Sequence, residues 1–241
     1  MSIHRTMNAN VLLAALPADA RERLTPRLDL VSMRAGQLLH EHGENLEYIY
    51  FPTTAIISLQ HAATNGASSE IAGIGREGML DISLCAGSNT TFARATVKVA
   101  GQGFRIDAAF IYDELKRSAA IMRIFLRYTQ ALFTQVSLAV FCNRYHSVEQ
   151  QLCRWILLAL DRTTDRQLDV PPEAMSDILG TRQEVVAEIA ESMREAGHLS
   201  YLSDHIRVIY RAGLEARVCS CYGMIRNEFT RLVADTKMLE V

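Results

Sequence analysis

Few side chains in this sequence are equipped for chemistry, and they are scattered. Cys219-Ser220-Cys221 places two thiols one residue apart, a pair that could serve redox chemistry or a metal. A Cys-x-Cys is by itself a weak signal, so the pair is read as structural and no metal site is expected. His40-x-His42, with His61, could supply metal or haem ligands. Alternate residues flanking a turn are more simply exposed polar positions, and these too are read as non-ligating. Catalytic machinery is not found: no nucleophile elbow, no phosphate-binding glycine loop, no metal-ligand pair at helical spacing and no convincing triad. Neither an enzyme nor a bound cofactor is expected.

The informative stretch is 175–199. Met175, Ile178 and Leu179 form an apolar stripe at helical spacing, and Gly180, which tolerates a positive φ, lets the chain turn sharply. A second stripe at Val185, Val186, Ile189, Ala190 and Met193 stops at Ala196-Gly197. Two short amphipathic helices joined by a tight glycine turn make the helix-turn-helix pattern, whose second helix can lie in a DNA major groove. An ordinary helical hairpin inside a core shows the same pattern. The next residues favour the first reading: His198-Leu199-Ser200-Tyr201, a polar break at Ser203-Asp204-His205, then Ile206-Arg207-Val208-Ile209-Tyr210 reads as a two-stranded hairpin, or wing. Arg182, Gln183, Glu184 and Glu188 fall on the leading, outward face of the second helix.

Length and composition bound the rest. The 241 residues allow one large domain or two modest ones. With 25 basic and 27 acidic residues the net charge is −2, so there is no global electrostatic footprint for nucleic acid. Five cysteines without a repeated pair spacing do not form a disulfide framework and suit a reducing cytosol. The apolar run VLLAAL near the start is too short to span a membrane and lacks a signal-peptide cleavage pattern. A soluble, cytoplasmic chain without membrane association is expected.

Along the chain, Asn8 or Asn10 can cap a short helix to Leu16, and Pro17 opens another to about Leu24. From Leu28 to Ile106 the period changes to two, in short runs around residues 28–31, 37–40, 48–51, 55–59, 70–72, 95–99 and 104–106. Gly36, Gly43, Pro52, Asn65-Gly66, Gly75, Gly78, Gly87 and Gly101 separate them, the signature of an all-β barrel or sandwich. A helix over about 107–116 precedes a long one over 118–145. The long helix carries Ile121, Ile124, Phe125, Tyr128, Leu132, Val136, Ala139 and Val140 at spacings of three and four. That stripe can lie across the barrel or pair with its copy in a coiled coil, where Gln135 would fix register. Ser147-Val148-Glu149-Gln150 is a capping box opening a helix over 148–160, followed by the polar loop Thr163-Thr164-Asp165-Arg166 and the helix-blocking Pro171-Pro172.

This order resembles the Crp/Fnr family of bacterial transcription regulators over roughly 28–232. The resemblance is carried by Tyr48-Ile49-Tyr50-Phe51-Pro52, Ile74-Gly75-Arg76-Glu77-Gly78-Met79, Ser147-Val148-Glu149-Gln150-Gln151-Leu152 and the stretch from Arg211-Ala212-Gly213-Leu214-Glu215-Ala216 through Tyr222. It implies an α+β chain in three parts. Residues 1–117 would hold N-terminal helices and a sensor-like β-barrel of the double-stranded β-helix (jelly-roll) kind, similar to a cyclic-nucleotide-binding domain. Residues 118–146 would be a dimerisation helix, and 147–241 a winged helix-turn-helix. The implied partners are a second copy of the chain, double-stranded DNA and RNA polymerase, with an effector that the resemblance does not identify. The implied DNA-binding residues are Thr181, Arg182, Gln183, Glu184, Glu188 and Arg207. Arginine can reach guanine, glutamine adenine, and glutamate can accept from cytosine. Cys219-Ser220-Cys221 would lie on a C-terminal helix packing against the wing domain.

Two departures matter. Relatives that bind cyclic AMP hold the ribose with the glutamate of Gly-Glu-Leu and the phosphate with the arginine of Arg-Ser-Ala-x-Val. Here Met79 and Ala93 stand at those positions, with Arg94 one residue on and pointing to the opposite face of its strand. A thioether is a poor acceptor for a ribose hydroxyl and alanine cannot neutralise phosphate, so cyclic-nucleotide binding is not expected. An iron–sulfur cluster of the Fnr kind needs cysteines near the N-terminus, and the first here is Cys85. The second departure is charge. From Arg166 onward, eight arginines and Lys237 face twelve acidic residues, a net of −3. Arg207, Arg211 and His205 are the remaining phosphate candidates, and DNA affinity comes largely from phosphate neutralisation. A second reading therefore stands beside the first, a regulator that has lost direct DNA reading and acts through a protein partner.

Overall fold

The structure, a computed structural model, describes residues 7–64, 68–163, 167–202 and 205–237. The Asn65-Gly66 turn, Thr164-Asp165-Arg166 and the Ser203-Asp204 hairpin tip lie outside the described residues. Helix α1 (Val11–Ala14) is capped by Asn10, whose Oδ1 accepts the Leu12 and Leu13 N–H groups. The same buried side chain donates from Nδ2 to the carbonyls of Pro52 and Gly78, both at 2.8 Å, which ties the N-terminus to the strands. Helix α2 (Ala18–Leu24) follows with Pro17 as its N-cap, one residue outside the helix rather than its first residue.

The period-two stretch forms β1 (Asp29–Met33), β2 (Leu38–His40), β3 (Tyr48–Pro52), β4 (Ile56–Ala62), β5 (Ser68–Ile74), β6 (Arg94–Val99) and β7 (Gly101–Asp107). They pair antiparallel in two sheets, β1-β7-β3 and β2-β6-β4-β5. Hydrogen bonds among the described residues join the strands within these sheets and do not close a single barrel. The alternation does the work expected of it: Ile49, Phe51, Ala95, Val97, Phe104 and Ile106 are buried in one shared core.

Helix α3 (Ala108–Arg117), capped by Asp107, leads to α4 (Ala119–Tyr145), capped by Ser118 and 27 residues long. Two faces of α4 are apolar. Ile121, Ile124, Phe125, Tyr128 and Leu132 bury into the core of the sheets. Leu126, Phe133 and Val140, seven residues apart, remain 49%, 66% and 69% exposed. The single stripe read from the sequence was a mixture of the two. Leu132 belongs to the chain's own core, and Gln135 is buried there as well, donating to the Gly73 carbonyl at 3.1 Å. Gln135 therefore does not interrupt an exposed seam.

Helix α5 (Val148–Arg162) opens on the Ser147/Gln150 capping box. After it come β8 (Gln167–Leu168), α6 (Pro172–Leu179), α7 (Gln183–Glu195), β9 (Leu199–Leu202), β10 (His205–Val208), α8 (Arg211–Arg217) and α9 (Ser220–Lys237). Strand β8 adds a third strand to the hairpin, in the order β8-β10-β9, which the sequence reading lacked. These elements share a second core around Leu152, Trp155, Ile156, Met175, Val186, Met193, Ile206 and Leu214. Helix α9 then returns along α4. Phe229 packs against Tyr128 with ring centroids 6.4 Å apart, and Leu232 is buried in the first core. Among the described residues no helix is long and apolar enough to cross a membrane.

Candidate nucleic-acid interface

Helix α6 ends at Gly180, whose φ of +61° is the left-handed value that glycine adopts without strain. The Gly180 and Thr181 N–H groups both donate to the Ser176 carbonyl, closing the helix end. Arg182 is the N-cap of α7 and uses no side-chain bond to cap it. Val186, Ala190 and Met193 bury one face of α7, and the exposed face carries Gln183, Glu184 and Glu188. Glu191 and Glu195 share that exposed face, because positions 184, 188, 191 and 195 repeat at four, three and four. Arg194 is bound to Glu191.

The hairpin sets Arg207 outward between buried Ile206 and Val208, opposite Ser200 on β9. Arg211 is spent inside the fold: it donates to Asp161 at 2.7 Å, to Glu215 at 2.8 Å and to the Tyr222 hydroxyl at 2.6 Å. Arg217 pairs with Glu149 and Arg231 with Glu228. Of the described residues on α7 and the hairpin, Arg182 and Arg207 are left without a carboxylate partner, and both are exposed. The side chain of His205 lies outside what the structure describes.

Behind this surface lies a polar network that the sequence reading missed. Arg162, at the end of α5, is buried and donates from Nε to Glu77 at 2.7 Å. Its Nη2 donates to the Gly73 carbonyl at 2.8 Å and to Gln135 Oε1 at 3.1 Å. Beside it, Trp155 Nε1 donates to Glu70 Oε1 at 3.1 Å, and burial pushes the Glu70 carboxyl above its ordinary value. Gly73 and Gly75 make room for the arginine: a Cβ on either would stand 2.7 Å from Arg162 side-chain atoms. The signal in the sequence was a strand end rich in glycine, with a charged residue closing an apolar helix far away.

Within the sheets, Met79 and Ala93 are fully buried, and Arg94 lies outside, paired with Glu41 at 3.4 Å. The Tyr128 ring from α4 lies so close over Gly78 that a Cβ there would be 2.2 Å from it, and its hydroxyl donates to the Met79 carbonyl at 2.9 Å.

The other candidates separate. His40 is buried and bonded through Nε2 to Asp81 at 3.0 Å, while the rings of His42 and His61 face one another with centroids 6.1 Å apart. All five cysteines are free. Cys219 and Cys221 stand beside Cys142 and His146, a pair four residues apart at the end of α4 that the sequence reading did not notice. The Cys142 and Cys219 sulfurs share a hydrogen bond at 3.6 Å, which lowers the Cys219 thiol and raises that of Cys142. Burial raises Cys221.

The fold is similar to that of solved transcriptional regulators of the Crp/Fnr family. The chain superposes on a protein from Eubacterium rectale assigned to that family with a TM-score of 0.67, covering 87% of this chain and 98% of that one at 14% identity. FixK2 from Bradyrhizobium japonicum matches with a TM-score of 0.65, 13% identity, and coverage of 80% and 98%. A CRP-family transcriptional regulator from Thermus thermophilus matches at 0.63, with 12% identity and coverage of 78% and 95%. No family model matches the sequence, and no curated protein matches it. At these identities the likeness is one of fold.

Proposed function

We propose that the protein is a homodimeric transcription regulator of the Crp/Fnr type. In this reading α6 and α7 form a helix-turn-helix, β9 and β10 its wing, and cyclic AMP is not its effector. Residues 1–117 act as a sensor-like domain, 118–146 as the dimerisation helix and 147–241 as the DNA-binding domain. The observation that carries the reading is the start of α7. A glycine turn presents an uncapped helix N-terminus with Arg182 exposed beside it, and the hairpin presents Arg207. These are the two arginines of that surface left without carboxylates among the described residues. Uncapped N–H groups and the helix dipole favour a phosphate, and Arg182 with Gln183 can reach base edges. Thr181 borders that phosphate position, Glu184 accepts from cytosine, and Glu188 repels the backbone.

Dimerisation supplies the affinity that one such surface lacks, since two linked half-site contacts act together. Leu126, Phe133 and Val140 lie exposed at seven-residue spacing on α4, with the half-buried Thr129 and Val136 between them at three and four, the pattern of a coiled-coil seam. A second copy of the same helix is its partner in this reading.

One observation favours the alternative, a regulator acting through a protein partner: the four glutamates along α7 make that face acidic. Recovery of genomic DNA fragments with the purified dimer, repeated with Arg182→Ala, separates the two. Enrichment of a two-fold-related site that the variant loses supports DNA reading. Recovery no better than random sequence at physiological salt supports the partner reading.

A further inference from the structure

Cys142 and His146, at the C-terminal end of α4, face Cys219 and Cys221, at the start of α9. One ligand atom from each of the four lies within 4.8 Å of all the others. Cys142 Sγ and Cys219 Sγ are 3.6 Å apart, too far for a disulfide, and Cys221 Sγ is 3.6 Å from His146 Nδ1. Around tetrahedral zinc, bonds of about 2.3 Å to sulfur and about 2.0–2.1 Å to nitrogen place sulfur pairs about 3.8 Å apart and sulfur–nitrogen pairs about 3.6 Å apart. Those two pairs already stand near that spacing, and the remaining pairs lie within 4.8 Å, so small side-chain adjustments close the set around one ion. The three thiols are buried and His146 is half-buried, so the cluster is a closed one.

We propose that Cys142, His146, Cys219 and Cys221 form a structural Cys3His site for a thiophilic divalent metal, zinc by its donor set, which clamps the end of α4 to the start of α9. Binding displaces to solvent whatever protons the three sulfurs still carry, so that all three bind as thiolates, and leaves a neutral imidazole coordinated through Nδ1, giving a centre of net charge −1. Arg154 supplies the counter-charge. Its guanidinium is near enough to favour the thiolates of Cys142 and Cys221, and its Nε is buried with no hydrogen-bond partner among the described residues. The His146 backbone is fixed on both sides, its N–H donating to the Cys142 carbonyl and its carbonyl accepting from Gln151 Nε2 at 3.0 Å. The clamp lies where α4 gives way to α5, so the metal holds the second core against the long helix. This inference rests on the ligand geometry and is independent of DNA binding.

The test is elemental analysis of the full-length protein purified under reducing conditions, followed by cobalt(II) titration of the chelator-stripped protein. The expected result is one zinc per chain, and thiolate-to-cobalt charge-transfer bands with tetrahedral d–d intensity that saturate at one equivalent. His146→Ala, which leaves the three buried thiols in place, is expected to weaken zinc affinity by at least about tenfold. Cys219→Ser should weaken cobalt binding and lower the thiolate band intensity at saturation by about a third, one thiolate of three being lost, whereas Cys85→Ser, outside the cluster, should leave stoichiometry and spectrum unchanged. Folded protein, verified by circular dichroism, that takes up neither zinc nor cobalt overturns the proposal. So does a Cys142–Cys219 disulfide in place of metal, or unchanged affinity in His146→Ala.

Discussion

Arg162 Nε lies 2.7 Å from Glu77 Oε1, joining the last turn of α5 to the turn after β5. Both side chains are mostly buried, and the guanidinium also satisfies Gln135 on α4 and the Gly73 carbonyl. Three elements thus meet on one cation, and the position of α5 against the sheets is fixed by hydrogen-bond geometry as well as by apolar contact. The pair's net worth is set by competition between desolvation and Coulomb attraction, but breaking it is costly.

Replacing Arg162 with Ala strands a buried carboxylate and is expected to cost about 3–5 kcal/mol in chemical denaturation. Gly75→Ala, which places a methyl against the Arg162 stem, should cost about 1–3 kcal/mol alone and much less in the Arg162→Ala background. Additive losses would show that the glycine serves something other than room for the arginine.

The exposed heptad face of α4 makes a different demand from its buried face. Phe133→Glu with Val140→Glu should yield folded monomers by sedimentation velocity. Leu132→Glu should unfold the chain instead, at a cost above about 4 kcal/mol, because that side chain is 2% exposed. A wild-type chain that sediments as a monomer at micromolar concentration would refute the dimer.

Glu70 supplies a pH signature. Burial raises its carboxyl above the ordinary value, so the folded chain holds that proton more tightly than the unfolded one. Its contribution is most favourable below the ordinary carboxylate range and declines as pH rises through the raised value. Glu70→Gln keeps an acceptor for Trp155 and removes the ionisation. Its stability should exceed wild type at pH 7 and match it at pH 3, checked by urea titration at both. Equal stability at both would mean that the carboxylate is compensated by Arg154 and Arg162.

On the DNA reading, Arg182→Ala should cost about 1–3 kcal/mol on the preferred site and relax specificity there. Arg207→Ala should weaken all sequences alike and lower the salt slope by about one. Glu188→Gln should tighten binding, most at low salt, where repulsion is least screened. Fluorescence anisotropy across a salt series reads all three, and a partner-protein role predicts that none of them changes residual binding.

Calorimetry with cyclic AMP and cyclic GMP should show no binding, since Met79 and Ala93 offer no polar group to a ribose or phosphate and both are fully buried. Micromolar affinity for either nucleotide would overturn that prediction.

Local chemistry was legible from the residues alone. The Asn10 cap, the Ser147/Gln150 capping box, the seven strand-like runs and the glycine turn at Gly180 depend on neighbours within a few positions, and spacing records such neighbours. The facing of α4 was not legible. Its two apolar faces overlap in a 3.6-residue period, so the sequence could not say which of Leu132, Phe133 and Gln135 meets the core. The long-range meetings were also hidden: Arg162 with Glu77, Tyr128 over Gly78, and Cys142 and His146 with Cys219 and Cys221. Each joins residues far apart in the chain, except where two share a helix turn. Any one of them taken singly reads as an ordinary core or surface residue. Only the return of α9 along α4 and the docking of α5 on the sheets bring those partners to bonding distance, because that packing is decided by burial of whole faces.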